Sequence, residues 1–244
     1  MKKIIFTIFV LILSKNFCMQ QLDRELKSLI LHKYFSKHIE TDKSLIQALK
    51  EITKLESLSR EFKDIISNQE FITDILNEYL VKYGKDSYNI EFLNAIKEIN
   101  NLKIITKMIS VAKIDINTPI NNIYPLIWAV KNKKNNIVKL LLLPKYKTNI
   151  NVVDKSRDSS DPFGQKANRN ALMIAIDNQD IEIIKNLLSR ADRNTLLHMD
   201  NNFETALDLA KKKSSEIYNL VNQKYKDLNT QVTSSFSDTN IVFM

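Results

Sequence analysis

Tyr124 to Leu142 reads YPLIWAVKNKKNNIVKLLL: Pro-Leu near its start, an apolar patch holding the chain's only Trp, a polar break, then a second apolar patch. As one amphipathic helix it would belong to an ordinary core; as one unit of a repeat it would belong to a stacked array. Self-similarity along the chain decides between the two. Residues 170–188, NALMIAIDNQDIEIIKNLL, superpose on the stretch without a gap. Leu126 falls on Leu172, Ala129 on Ala175, Ile137-Val138 on Ile183-Ile184, and Leu141-Leu142 on Leu187-Leu188. Residues 91–109, EFLNAIKEINNLKIITKMI, fit the same frame, with Leu93 lying 33 residues before Leu126. Residues 205–221, TALDLAKKKSSEIYNLV, fit with one residue missing in the second half. Four units share one pattern.

Two short apolar stretches separated by a polar gap make two brief helices packed antiparallel, each too short to be stable alone. Each pair leaves an apolar side open until the next unit covers it, so the units must stack. Small side chains at the matched positions Ala129, Ala175 and Ala210 let the first helix approach its neighbours closely. Composition agrees. With 44% hydrophobic and 26% charged residues in 244, most of the chain should fold. Only two Gly and four Pro occur, too few for the frequent turns of a β-sandwich or barrel, so an all-α chain is expected. Gly84 and Gly164 stand eighty residues apart and build no phosphate-cradling loop.

Tyr124-Pro125-Leu126-Ile127-Trp128-Ala129 resembles the T-P-L-H-x-A signature of ankyrin repeats, whose period is about 33 residues. Thr205-Ala206-Leu207-Asp208-Leu209-Ala210 is similar to the closing unit of such arrays. Before it, Asp200 to Thr205 keeps the frame D-x-x-G-x-T with Phe203 in the Gly position. Asn122 and Asn168 occupy two further turn-glycine positions, and Asn is the non-Gly residue that best tolerates left-handed backbone. The first unit departs from the pattern, with Ile96 in place of Ala. The resemblance covers residues 88–225 and implies a helical repeat solenoid that binds a protein partner along its concave side. Carried over by position, the exposed edge comprises Trp128, Lys131 and Asn132 in the second unit, Ile174, Asp177 and Asn178 in the third, and Leu209 and Lys212 in the last. Trp is enriched at binding hot spots, which singles out Trp128; packing between stacked units is its alternative role.

Leu126 to Leu172 is 46 residues, so 13 are inserted between the second and third units. They fall in the polar segment 154–166, DKSRDSSDPFGQK preceding Ala167, which reads as a surface loop. Residues 226–244 read as a flexible tail. At the other end, Lys2 and Lys3, the apolar run Ile4 to Leu13 and a short polar stretch to Cys18 read as a signal peptide, residues 1–18. This run of ten residues, nine of them apolar, is too short to span a bilayer, and no stable membrane span is expected once the leader is removed. Cys18, the single Cys, either leaves with the leader or carries a lipid. No disulfide is then available, and packing alone stabilises the mature chain. The net charge of +8 falls to about +5 without Lys2, Lys3 and Lys15, and it is interleaved with acids along helices, which argues against nucleic-acid binding.

Residues 20–87 follow a different pattern. Leu22, Leu26, Leu29 and Ile30, and later Leu55, Leu58, Phe62, Ile65 and Ile66, have helical spacing, as expected of a small bundle. Leu22 to Leu31 resembles the F-box opening L-P-x-E-L-x-x-x-I-L, with Asp23 for Pro, and Leu58-Ser59-Arg60-Glu61-Phe62 resembles its continuation. That resemblance implies binding of a ubiquitin-ligase adaptor through Leu22, Leu26, Ile30, Leu58 and Phe62. Catalytic, metal and cofactor sites are not expected. His32 and His38 are six apart and lack partners at ligand spacing, His198 lies between repeats, and no nucleophile elbow is present. Two functional readings follow. One is an exported, monomeric, non-enzymatic interaction module delivered to a host cell, linking a bound protein to a ubiquitin ligase. The other is a structural or envelope-associated repeat protein whose head is a plain helical cap.

Overall fold

The computed structural model describes residues 31–33, 35–36, 45–58, 69–99, 101–154 and 168–237. Helices dominate the described residues, and strand is confined to one two-residue pair. The chain divides into two compact units between Ile114 and Asp115. The expected leader, the F-box-like residues Leu22, Leu26, Ile30 and Phe62, and the inserted loop from 155 onward lie outside the described residues.

In the first unit, α1 (Leu45–Leu58) and α2 (Gln69–Glu98) pack together, and α2 packs on α3 (Leu102–Ala112). Leu58 is the last residue of α1. Buried Leu45, Leu49 and Ile52 of α1 and Ile72, Ile75, Leu76 and Tyr79 of α2 form the apolar faces, at the three- and four-residue spacing that a helix requires. Gly84 interrupts α2 with φ 79° and ψ 172°, a conformation that any side chain would strain. The sequence boundary at 87 and 88 falls just past this break, so the head's last helix and the first repeat helix run on with only a kink between them. Tyr88 is fully buried beyond the kink, and its hydroxyl donates to the Met108 carbonyl at 3.3 Å. Asn101 caps α3 by accepting from the Lys103 and Ile104 amides.

Glu91 caps α1 from outside it. Its Oε2 accepts from the Ile46 amide at 2.9 Å, meeting one of the amides that a helix start leaves unpaired. Burial raises the Glu91 pKa above its ordinary 4.5; the hydrogen bonds from Ile46 and Asn94 oppose the rise, and Glu98 adds to it. The folded state therefore holds the proton more tightly than the unfolded chain. Stability of this unit falls as pH rises from the ordinary carboxylate value through the raised one. A Glu91→Gln chain, followed by thermal melting across that interval, is expected to lose this slope and to gain on the wild type as pH rises.

The second unit repeats one motif. Helices α4 (Pro125–Lys131) and α5 (Asn135–Leu141) form one pair, α6 (Ala171–Asp177) and α7 (Ile181–Leu188) the next. The last pair is α9 (Ala206–Lys213) and α10 (Ser215–Ser237), preceded by a five-residue helix, α8 (Arg193–Leu197), that the repeat pattern does not contain. First helices stack on first helices, α4 on α6 and α6 on α9, while α5 meets α7 and α7 meets α10. Ala129, Ala175 and Ala210 have no exposed surface, as expected of positions where helices approach closely. The second helices bury Ile137, Val138 and Leu141, then Ile183, Ile184 and Leu187, then Ile217 and Val221.

The turn positions behave as their places in the frame require. Asn122, Asn168 and Phe203 are left-handed, with φ of 62°, 66° and 60°. Between the helices of the second and third pairs, Lys133 and Gln179 are also left-handed, with φ of 52° and 55°. The last pair joins through Ser214 alone, which is extended. The residue missing from the sequence is thus lost from this turn, and with it the left-handed step. Starts are capped by side chains: Asn170 for α6, Asp180 for α7, and a reciprocal box of Thr205 and Asp208 for α9. Those bonds from the Thr205 side chain and backbone hold the Asp208 carboxyl below its ordinary pKa.

Two differences from the sequence reading stand out. Asp154, the first residue of the segment read as a surface loop, belongs instead to a short antiparallel ladder, Val153–Asp154 against Arg169–Asn170. Beyond residue 226 the chain stays helical as far as Ser237, since no Gly or Pro in α10 stops a helix that has started.

Candidate protein-binding surface

The residues expected on the concave edge separate into three groups. Trp128 is half-buried, and Lys131, Asn132 and Lys212 are exposed. Ile174 and Leu209, by contrast, are buried at 7% and 3% exposure, which removes them from any binding edge. They share one repeat position with Trp128. The aliphatic side chains at that position are covered by the packed repeats. Only the larger Trp extends into partly open space. The third group, Asp177 and Asn178, is half-buried and already bonded within the fold.

These internal bonds reveal what the polar edge does. The Asn178 amide donates to the Val130 carbonyl at 3.2 Å, and Arg190 donates to the Leu142 carbonyl at 2.6 Å. The Arg190 bond satisfies a carbonyl that the end of α5 leaves unpaired, whereas the Val130 carbonyl also accepts from the Lys133 amide at 3.1 Å, so Asn178 adds a second bond that ties the third pair to the second. Lys131 is ion-paired with Asp154. Asn132 donates to the Trp128 carbonyl at 2.9 Å, and Lys212 pairs with Glu204. Glu182 binds Lys139 and accepts from Asn135 at 2.6 Å; its carboxyl lies below the ordinary range, chiefly through the Lys139 hydrogen bond. Much of the polar residues predicted as binding surface is stitching between and within repeats.

Four features carry no obvious signal in the sequence. The turn tips are linked by Asn side chains: Asn117 donates to the Lys147 carbonyl and accepts from the Asn149 amide, and Asn151 meets Asp192 and Thr195. Arg169 and Asp200 form a buried ion pair at 2.9 Å, and Asp177 bridges Arg169 at 3.3 Å to Lys213 at 2.6 Å. The second Asp200 oxygen accepts from the Asn202 and Glu204 amides. His198 Nε2 lies 2.5 Å from the Asn168 carbonyl, which gives this His a place in the turn. Above this turn Phe203 is 82% exposed, with Met199 at 51% and Leu197 at 42% beside it in sequence. The aromatic at a Gly position was legible; its exposure was not.

Residues 92–192 match the family model for ankyrin repeats (3 copies). No curated protein matches the chain. The ankyrin match begins inside the first sequence unit, at Phe92, and ends before the last helix pair, whose geometry nevertheless follows the same frame. It does not reach residues 20–87. Ankyrin repeats are protein-protein interaction modules. In the first unit, Ser36 Oγ donates to Glu78 Oε2 at 2.5 Å and lies 3.4 Å from His32 Nδ1. His32 Nε2 lies 4.0 Å from the same Glu78 oxygen, so the three side chains form one part-buried polar cluster within this unit. Among the described residues, no group of three or more His, Cys, Asp or Glu could hold a metal ion, and no helix is long and apolar enough to cross a membrane.

Proposed function

We propose that this chain is a non-enzymatic interaction protein whose ankyrin repeats bind a protein partner across the turn tips and the Trp128 edge. The observation that carries this reading is Phe203. A non-Gly residue in the left-handed region costs about 1–2 kcal/mol, and at 82% exposure the ring recovers little of that cost by burial. An aromatic held outward at a turn tip is a binding anchor in search of a pocket. Phe203→Gly is expected to raise stability by about 1 kcal/mol through relief of that strain. It is also expected to reduce capture of the partner from eukaryotic lysate at least tenfold. Stability and binding move in opposite directions; capture that is unchanged by the substitution would remove Phe203 from the interface.

The finer form of the proposal adds export, through a leader at residues 1–18, and a head that joins the bound protein to a ubiquitin-ligase adaptor. Its support is the sequence of Leu22 to Leu31 and Leu58 to Phe62. Recovery of the adaptor, abolished by Leu26→Asp or Ile30→Asp in a chain with an unchanged circular dichroism spectrum, supports the link. A folded chain that recovers no adaptor sinks it and leaves the interaction module standing. Export is read from the mass of the mature chain outside the producing cell, which should lack the leader.

A further inference from the structure

The junctions between successive helix pairs should use the same bonds, because the same frame builds both. At the junction of α5 and α7, Lys139 pairs with Glu182 and Arg190 reaches the Leu142 carbonyl. One repeat on, the equivalent residues are Lys185 and Glu216 for the ion pair, and Lys224 and the Leu188 carbonyl for the cap. The chemistry is retained, yet among the described residues neither bond forms. Instead these four residues line an open groove of 560 Å³ between α7 and α10, together with Leu220 and Asp227. At the first-helix level the same pairs remain tied, by Lys213 and Asp177. The groove is therefore local to the second-helix side, opposite in the repeat to the first-helix edge.

Its chemistry is complementary to one kind of occupant. Lys185 and Lys224 lack ion-pair partners among the described residues, as does Glu216, and Leu188 and Leu220 provide an apolar floor. Glu216 to Asp227 spans roughly 17 Å along α10 at 1.5 Å per residue, the length of about three helical turns. We propose that this groove docks an amphipathic helix of a partner protein, which presents a carboxylate to Lys185 and Lys224, an apolar side chain to Leu188 and Leu220, and a base to Glu216. The occupant's carboxylate supplies to Lys185 what Glu182 supplies to Lys139 one repeat earlier. The inference rests on the interaction-module reading but uses a different face, so the two can fail separately.

The test uses the full chain and a stapled 12-residue helical peptide with Leu at positions 5 and 8, Glu at positions 1 and 4, and Lys at positions 9 and 12. In an NMR titration, shifts are expected to cluster at Lys185, Leu188, Leu220 and Lys224. Lys185→Glu with Lys224→Glu should weaken binding at least tenfold, and exchanging the peptide's Glu for Lys should restore it. A peptide with both Leu replaced by Asp should not bind, a control that leaves the protein unaltered. Phe203→Gly should leave the titration unchanged. Shifts scattered elsewhere, or binding indifferent to the charge exchange and to the Leu replacement, would overturn the proposal.

Discussion

Asp200→Ala is expected to destabilise the repeat unit by about 3 kcal/mol, because the buried Arg169 loses its fully covered counter-charge and keeps only Asp177 at 3.3 Å. The Asp200 side chain is fully covered and that of Arg169 is 6% exposed, so water cannot replace the lost carboxylate. The same substitution strips the Asn202 and Glu204 amides of their acceptor, loosening the turn that holds Phe203. Urea denaturation of the variant should show a lower midpoint, and hydrogen exchange should rise around residues 199–205. Replacing both partners, Arg169→Met with Asp200→Leu, should cost less than the single change, because no buried charge remains. A single variant within 1 kcal/mol of the wild type would mean that this pair is solvated in solution.

Ala175→Leu is expected to cost about 1–3 kcal/mol by overpacking. Ala175 is fully covered, on a helix with first helices on both sides, so three added carbons have no space to occupy without pushing a neighbour away. The equivalent positions, Ala129 and Ala210, are equally covered, and bulky substitutions there should act in the same direction. Thermal melting reads the effect. An unchanged midpoint would show that the close approach of first helices is not what holds the stack.

Both predictions concern the stack, and the stack was legible early because it depends on periodicity. Matched apolar pairs such as Ile183-Ile184 and Leu187-Leu188, and the small residues between them, report burial whatever the neighbours are. Turn chemistry was equally local: Asn122, Asn168 and Phe203 were placed in left-handed positions by the frame alone, and the structure puts them there. The deletion in the last unit was visible as a missing residue, although its place in the turn at Ser214 was not.

The candidate surface was legible to a smaller degree. Position in a repeat states which side of a helix a residue occupies, but not how far the adjoining helix covers it. Ile174 and Leu209 were therefore assigned to an edge from which stacking removes them, while Trp128, at the same position, keeps part of its surface. Polar residues are harder still, because an exposed Asn and an Asn that caps a helix one repeat away are identical in sequence. Asn178 and Arg190 reach carbonyls 48 residues earlier in the chain, a separation no local pattern encodes.

Sequence by itself determined the helix pairs, the left-handed turns and the all-α architecture from spacing and backbone preference within each unit, and the period from the match of one unit with the next. Tertiary structure decided which of the matched positions are covered, where the buried Arg169 and Asp200 meet, and that the junction of α7 and α10 stays open. Those outcomes depend on distances between elements remote in sequence, where an equivalent pair such as Lys185 and Glu216 keeps its charges and still does not close.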